Sequence, residues 1–273
     1  MLSRNLRGFT LVEMAVALAI LGLLLGGAIM TLSAQVDQRN YEETQRRLEA
    51  AKDALLGFAI ANRRLPCPAR YTSAASHSAG LESFCSAATG TCAGTETTAA
   101  QTHGNCSNFY DGYVPAVAVG LSPTDGAGFG VDAWGNRLRY AIARDVTGCT
   151  ATPPANTRIW TSQANLKTYG ISCRPNDLDV CNTATGSGTA CASAAVRVVS
   201  TQTAALIVYS MGRNAAASTT YGADETENTD GDAVFVTRTP SPAGSTAGAY
   251  DDQLLVMPVG LLYSRLIAAG VLP

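Results

Sequence analysis

Lysine is almost missing from this 273-residue chain: Lys52 and Lys167 are the only two. The net charge is −2, so no dominant electrostatic footprint for nucleic acid exists, although a local basic patch is compatible with it. Histidine is as scarce. His77 and His103 lie in small-residue loops with no catalytic or metal-binding motif around them, and both read as polar surface residues. No C-x-x-C pair occurs among the cysteines, which disfavours zinc ribbons and thioredoxin-type redox sites. Ser210-Met211-Gly212 lacks the first glycine of a nucleophile elbow, and no phosphate loop is present. The chain does not read as an enzyme. Two further absences matter for its organisation. No proline precedes Pro66, and between Phe9 and Val36 the only charge is Glu13.

What stands at the N-terminus is a short basic leader, Met1 to Gly8 with Arg4 and Arg7, followed by that nearly uncharged run. As a helix, 28 residues span about 42 Å, enough to cross a bilayer. Arg4 and Arg7 favour a cytoplasmic N-terminus, with everything after Asp37 outside the cytoplasm. Gly22 and Gly26 share one face at i, i+4, a spacing for close helix packing. Placing Glu13 in hydrocarbon costs about 2.5–3.5 kcal/mol, so it needs a partner. An ordinary signal peptide cut near Thr31-Leu32-Ser33-Ala34 is one alternative, and a plain membrane anchor is another. The length of the run and the position of Glu13 speak against the first.

Gly8-Phe9-Thr10-Leu11-Val12-Glu13, followed by the apolar run from Met14, resembles the N-terminus of type IV prepilins and type II secretion pseudopilins. The resemblance implies cleavage between Gly8 and Phe9 by a prepilin peptidase that also methylates the new terminus at Phe9. It implies that Glu13 pairs with the terminal amine of a neighbouring subunit during assembly. The implied partners are that peptidase/methyltransferase, other pilin or pseudopilin subunits, an inner-membrane assembly platform and, before assembly, membrane lipid. Nucleic acid is not among them. Loss of the leader removes Arg4 and Arg7, taking the mature side-chain charge to about −4. Many relatives break this helix with proline; here the glycines stand in that region instead.

From Asp37 the pattern becomes amphipathic. Thr44, Leu48, Ala51, Leu55, Phe58 and Ala59 recur at spacings of three and four, opposite Glu42, Glu43, Arg46, Arg47, Glu49 and Asp53. Glu42–Arg46 and Glu43–Arg47 are i, i+4 pairs in the favourable order. Pro66 and Pro68 stop the helix near Asn62–Arg64. Beyond them, short apolar runs read as strands at Gly112–Val119, Arg137–Ala143, Arg158–Thr161, Val196–Ser200, Ala204–Tyr209, Ala233–Thr237 and Leu254–Val259. A short helix is expected from Val259 to Ala269. Residues 72–104, 182–195 and 239–249 are poor in large apolar side chains and read as loops.

The expected fold is α+β and type IV pilin-like. A long N-terminal helix, membrane-spanning in its first half, packs on an antiparallel β-sheet head with disulfide-tied loops. The boundaries are leader 1–8, transmembrane or filament-core helix 9–36, amphipathic helix 37–64 and extracytoplasmic head 65–273. Cys67, Cys85, Cys92, Cys106, Cys149, Cys173, Cys181 and Cys191 all follow the membrane segment, which reads as disulfides in an oxidising compartment. Of the many possible pairings, Cys85–Cys92 and Cys173–Cys181 are the short-range closures expected here.

Asp132-Ala133-Trp134-Gly135-Asn136, with Tyr140 following, resembles the D-x-W-G-N turn of pseudopilins and reads as a structural turn with Trp134 in the core. Asp224, Glu225, Glu227, Asp230 and Asp232 place five acids in nine residues, with Asp251-Asp252 further on. Hard oxygen ligands suit Ca2+, which major pseudopilins bind in a C-terminal loop, but the spacing is not an EF-hand and a solvated acidic loop is the competing reading. The resemblance thus implies a minor structural subunit of a pilus-like filament, with a secretion pseudopilin as the alternative.

Overall fold

The computed structural model describes residues 10–70, 80–90, 92, 96–184, 190–216 and 221–272; over 24–34 it describes the backbone only. In chain order the elements are α1 (Leu11–Asn62), β1 (Phe84–Cys85), β2 (Glu96–Thr97), β3 (Gly112–Tyr113), α2 (Ala116–Val119), β4 (Arg139–Ile142), β5 (Val146–Thr147), α3 (Gln163–Tyr169), a 3-10 turn at Gly170–Ser172, β6 (Arg174–Pro175), β7 (Asp179–Cys181), β8 (Ala204–Ser210), α4 (Ala223–Glu227), β9 (Val234–Val236), β10 (Gln253–Pro258) and α5 (Val259–Ala268). The fold is α+β. Two compact units occur, Met1–Glu42 and Glu43–Pro273.

In the first unit the described residues of α1 bury almost nothing: Leu11 is 87% exposed and Leu23 is 79% exposed. The helix runs unbroken through Gly22, where a Cβ would meet open space. Among the described residues no helix is long and apolar enough to cross a membrane. Glu42 does not pair with Arg46 as the spacing suggested; it accepts from Gln38 Nε2 at 2.9 Å.

The second unit is built on a four-stranded antiparallel sheet in the order β10-β8-β4-β3. The central strand β8, Ala-Ala-Leu-Ile-Val-Tyr-Ser, is buried at every residue. A continuous apolar run is what a strand covered on both faces requires. Successive residues point to opposite faces. Tyr140 donates its hydroxyl to Pro66 O just past α1, whereas Tyr209 donates to Asn228 O just past α4. Tyr140 pairs with Val208 and Arg139 pairs with Tyr209, so the two tyrosines mark the two faces. The last turns of α1 therefore cover one face, and the α4–β9 segment covers the other.

The stripe of α1 packs as its spacing required. Thr44, Leu48, Ala51, Leu55 and Ala59 are fully buried, and Phe58 is half-buried beneath the Arg64 guanidinium. Each fully buried leucine contributes about 1.5–3 kcal/mol of transfer free energy. Arg47 pairs with Glu43 at 3.0 Å and also donates to the carbonyls of Val131 and Asp132. Beyond Asn62, Arg64 grips Glu82 through both oxygens, and the same carboxylate accepts from Cys67 N at 2.8 Å.

Several strands are shorter or absent. Gly112–Val119 is a strand only at β3, because Pro115 supplies no N–H and the chain turns into α2. Residues Arg158–Thr161 form no strand; Ile159 and Trp160 are buried, while Trp160 O accepts from Leu65 N and Thr161 Oγ1 donates to Gly104 O. Val196–Ser200 makes only an isolated bridge, Arg197 to Cys181. β7 and β9 pair in parallel, a departure from an all-antiparallel head. Phe84 and Cys85, inside the stretch expected as loop, are buried in the β1–β2 hairpin.

Four disulfides close the second unit: Cys67–Cys106, Cys85–Cys92, Cys149–Cys173 and Cys181–Cys191. The expected Cys173–Cys181 bridge is not formed. Pairing of β5 with β6 brings Cys149 beside Cys173, while Cys181 lies on β7 and takes Cys191.

Candidate functional site

Gly8 and Phe9, the expected processing residues, lie outside the described residues, as does His77. The first described residue, Thr10, caps α1. Its backbone N–H and its hydroxyl both donate to Glu13 Oε2 at 2.9 Å, and Glu13 N–H donates back to Thr10 Oγ1 at 3.3 Å. Thr10-Leu11-Val12-Glu13 is thus a capping box, T-x-x-E, a signal present in the sequence and unused in reading it. It holds the carboxylate at the helix start, among exposed Leu11, Val12 and Met14.

The Asp132–Asn136 turn is a joint. Asp132 Oδ1 accepts from the N–H groups of Trp134 and Asn136, and Oδ2 accepts from Ser210 Oγ at 2.6 Å. Gly135 takes φ +87°, which a side chain rarely adopts. Ala133 N–H donates to Thr44 Oγ1 on α1 at 3.1 Å, and Asn136 Nδ2 donates to Gly212 O at 2.7 Å. Burial raises the Asp132 carboxyl above its ordinary pKa, against the lowering effect of these donors. Trp134 is not the core tryptophan expected. It is half-buried, and Trp160 is the fully buried one, donating its indole N–H to Tyr263 Oη at 3.2 Å. His103 is likewise half-buried rather than at the surface, its Nδ1 accepting from Asn105 N–H.

The acidic run is divided among different tasks. Asp224 is buried against Arg238 at 2.5 Å and accepts from Ala184 N–H. Glu225 faces the other way. It accepts from Gly222 N–H at the start of α4, from Asn214 Nδ2 and from Asp251 N–H. Carboxylate oxygens of Glu225, Asp251 and Asp252 lie within 4.8 Å of one another, and a second trio joins Glu227, Asp230 and Asp232. Asp251 and Asp252, which the sequence reading left outside the candidate set, therefore complete the more buried group. Only their position as an acidic pair just before β10 could have marked them.

This buried trio fits a hard cation. Asp251 Oδ1 and Asp252 Oδ1 are buried without a hydrogen-bond partner among the described residues. Gly212, at φ +63°, leaves the space beside Asp251 that a Cβ would fill. Burial, followed by the neighbouring Glu225 charge, pushes the Asp251 carboxyl up to about 6. Burial drives Asp252 well above the ordinary carboxylate range, and Asn228 Nδ2 at 2.8 Å only partly offsets this. Like charges held this close, two of the three on buried residues, call for a counter-charge or a proton. Ser210 links the trio to the Asp132 turn, since its Oγ accepts from Gly212 N–H at 3.1 Å.

No curated protein and no solved structure matches this chain. Residues 3–29, a span that holds Arg4 and Arg7 of the leader, the Thr10–Glu13 cap and the apolar start of α1, match the prokaryotic N-terminal methylation motif. The chain therefore carries the prepilin-type cleavage and methylation motif found in type IV pilins and pseudopilins.

Proposed function

We propose that this protein is a minor structural pilin subunit. It is cut between Gly8 and Phe9 by prepilin peptidase, methylated at Phe9 and assembled with other pilin subunits, through an inner-membrane platform, into a type IV pilus-like filament. The observation that carries this reading is the methylation motif running directly into α1. From Leu11 to Leu23 that helix exposes apolar side chains and one carboxylate. A helix apolar on all sides needs an apolar environment. Bilayer lipid supplies it before assembly, with residues 9–36 spanning and the N-terminus cytoplasmic, and neighbouring helices supply it afterwards. Glu13 then pairs with a neighbour's terminal amine, because one buried charge is tolerable only beside another. Four disulfides suit an extracytoplasmic head. Mass spectrometry of the mature N-terminus tests the proposal. N-methyl-Phe9 supports it; a start at Ala34 or Gln35 overturns it.

A secretion pseudopilin is the second reading, favoured by the Asp132 turn and the buried carboxylates. There Glu225, Asp251 and Asp252 would hold Ca2+, whose charge would lock α4 against the start of β10. Deletion distinguishes the two: loss of exoenzyme secretion favours the pseudopilin, and shed filaments containing the protein favour the pilus.

A further inference from the structure

Residues 145–158 line a cavity of about 450 Å³, within the size range of small-molecule sites. Its frame is tied at both ends. At one end Val146 and Thr147 pair with β6, and Cys149 is bonded to Cys173. At the other, the N–H and the hydroxyl of Thr157 both donate to Pro154 O, and the chain runs on into buried Ile159 and Trp160. Walls held by a ladder, a disulfide and a turn are in place before any ligand arrives, which lowers the ordering cost of binding.

The unusual lining residue is Arg158. It is only 7% exposed, and a guanidinium that deep needs full compensation. Its partners are weak. Nε donates to Asn105 Oδ1 and Nη1 to Asp145 Oδ1, both at 3.4 Å, longer than an ordinary hydrogen bond. Nη2 donates to no described group. The Asp145 carboxylate is already gripped by Arg144, at 3.1 and 2.8 Å on its two oxygens. Asp177 is the other acid nearby. Its Oδ2 accepts from the Tyr110 hydroxyl and from the N–H groups of Arg144 and Asp145, and none of its hydrogen bonds reaches Arg158. Burial raises the Asp177 carboxyl, which favours its neutral form. Burial, followed by the neighbouring Arg144 charge, lowers the pKa of Arg158. Two guanidiniums thus share the Asp145 carboxylate, and one of them lines a preformed cavity.

The rest of the lining narrows the ligand. Val146, Pro153, Pro154 and Ala155 supply apolar surface, and Arg158 is the single lining cation. Its planar fork matches a carboxylate, and one cation suits a monoanion better than a phosphate dianion. We propose that this cavity binds a carboxylate carried on a short aliphatic body, with Arg158 as its anchor, the acid being either free or the C-terminus of a peptide. The inference goes beyond the filament reading and does not depend on it.

Calorimetry on the full-length protein in detergent micelles tests it. Isobutyrate supplies the free acid and acetyl-alanyl-valine the peptide terminus. At least one should bind at roughly millimolar affinity, as a ligand of so few atoms allows, and its amide should bind roughly tenfold more weakly. Tighter binding of the peptide acid assigns a chain terminus, and tighter binding of isobutyrate assigns a free acid. Arg158→Gln should weaken the preferred acid roughly tenfold. Because Arg158 is buried, a second variant is made at an exposed lining position: Ala155→Trp should fill the cavity and block binding while the melting temperature stays unchanged. No heat from either acid, equal binding of acid and amide, tighter binding of inorganic phosphate than of either acid, or wild-type affinity in Ala155→Trp overturns the proposal.

Discussion

Glu13 Oε2 accepts from both the backbone N–H and the hydroxyl of Thr10, each at 2.9 Å, at the first turn of α1. The box fixes the carboxylate at the start of the helix. It also leaves Oε1 to accept an incoming amine. Capping within one subunit is therefore compatible with the proposed pairing between subunits.

A pair of substitutions separates these tasks. Thr10→Ala removes the cap and should weaken the helix start by about 1 kcal/mol, with modest loss of filament. Glu13→Leu removes the charge and should be processed and inserted normally while filament yield collapses. Immunoblots of processed precursor and counts of sheared filaments measure both. Normal assembly by Glu13→Leu would argue strongly against the pairing role.

The buried trio predicts coupling between calcium and protons. Asp251 has a folded-state pKa of about 6, above its ordinary 3.8. The stability gained from protonating it is complete below about pH 4 and is lost as pH rises through about 6. Burial raises the Asp252 carboxyl in the same direction. Calcium bound there would have to displace those protons. The rise in melting temperature on adding calcium should be clear at pH 7.5 and shrink at pH 5, and Asp252→Asn should abolish it. An equal calcium effect in the variant would remove the trio from consideration.

The disulfides should differ in worth with the loop each closes. Cys67–Cys106 spans 39 residues and Cys85–Cys92 spans 7. On chain-entropy grounds, the double serine replacement at the first should cost about 1.5 kcal/mol more than at the second. Urea unfolding of the two variants checks the order.

Asp132 should matter more than the tryptophan beside it. Asp132→Ala strands the N–H groups of Trp134 and Asn136 and the Ser210 hydroxyl, an expected loss of about 2–4 kcal/mol. Trp134→Ala, at a half-buried site, should cost about 1–2 kcal/mol. Thermal unfolding followed by circular dichroism ranks them.

The parts legible beforehand were those governed by short-range rules. Spacings of three and four revealed the buried stripe from Thr44 to Ala59, and Pro66 and Pro68 marked its end. The apolar run at Ala204–Tyr209 announced a strand, and β8 occupies Ala204–Ser210. Arg158–Thr161 misled because β-branched and aromatic residues are also what a buried loop uses when its backbone bonds elsewhere. The cation trio escaped because Glu225 and the Asp251–Asp252 pair stand 26 and 27 residues apart, on α4 and beside β10.

Residues 3–29 by themselves carry the N-terminal methylation motif. A leader, a T-x-x-E cap and an apolar helix are contiguous features, and contiguous features need no fold to bring them together. Tertiary structure alone decided which cysteines meet and which acids share a site. Those outcomes depend on strand pairing and on the two faces of one sheet, which linear spacing does not encode.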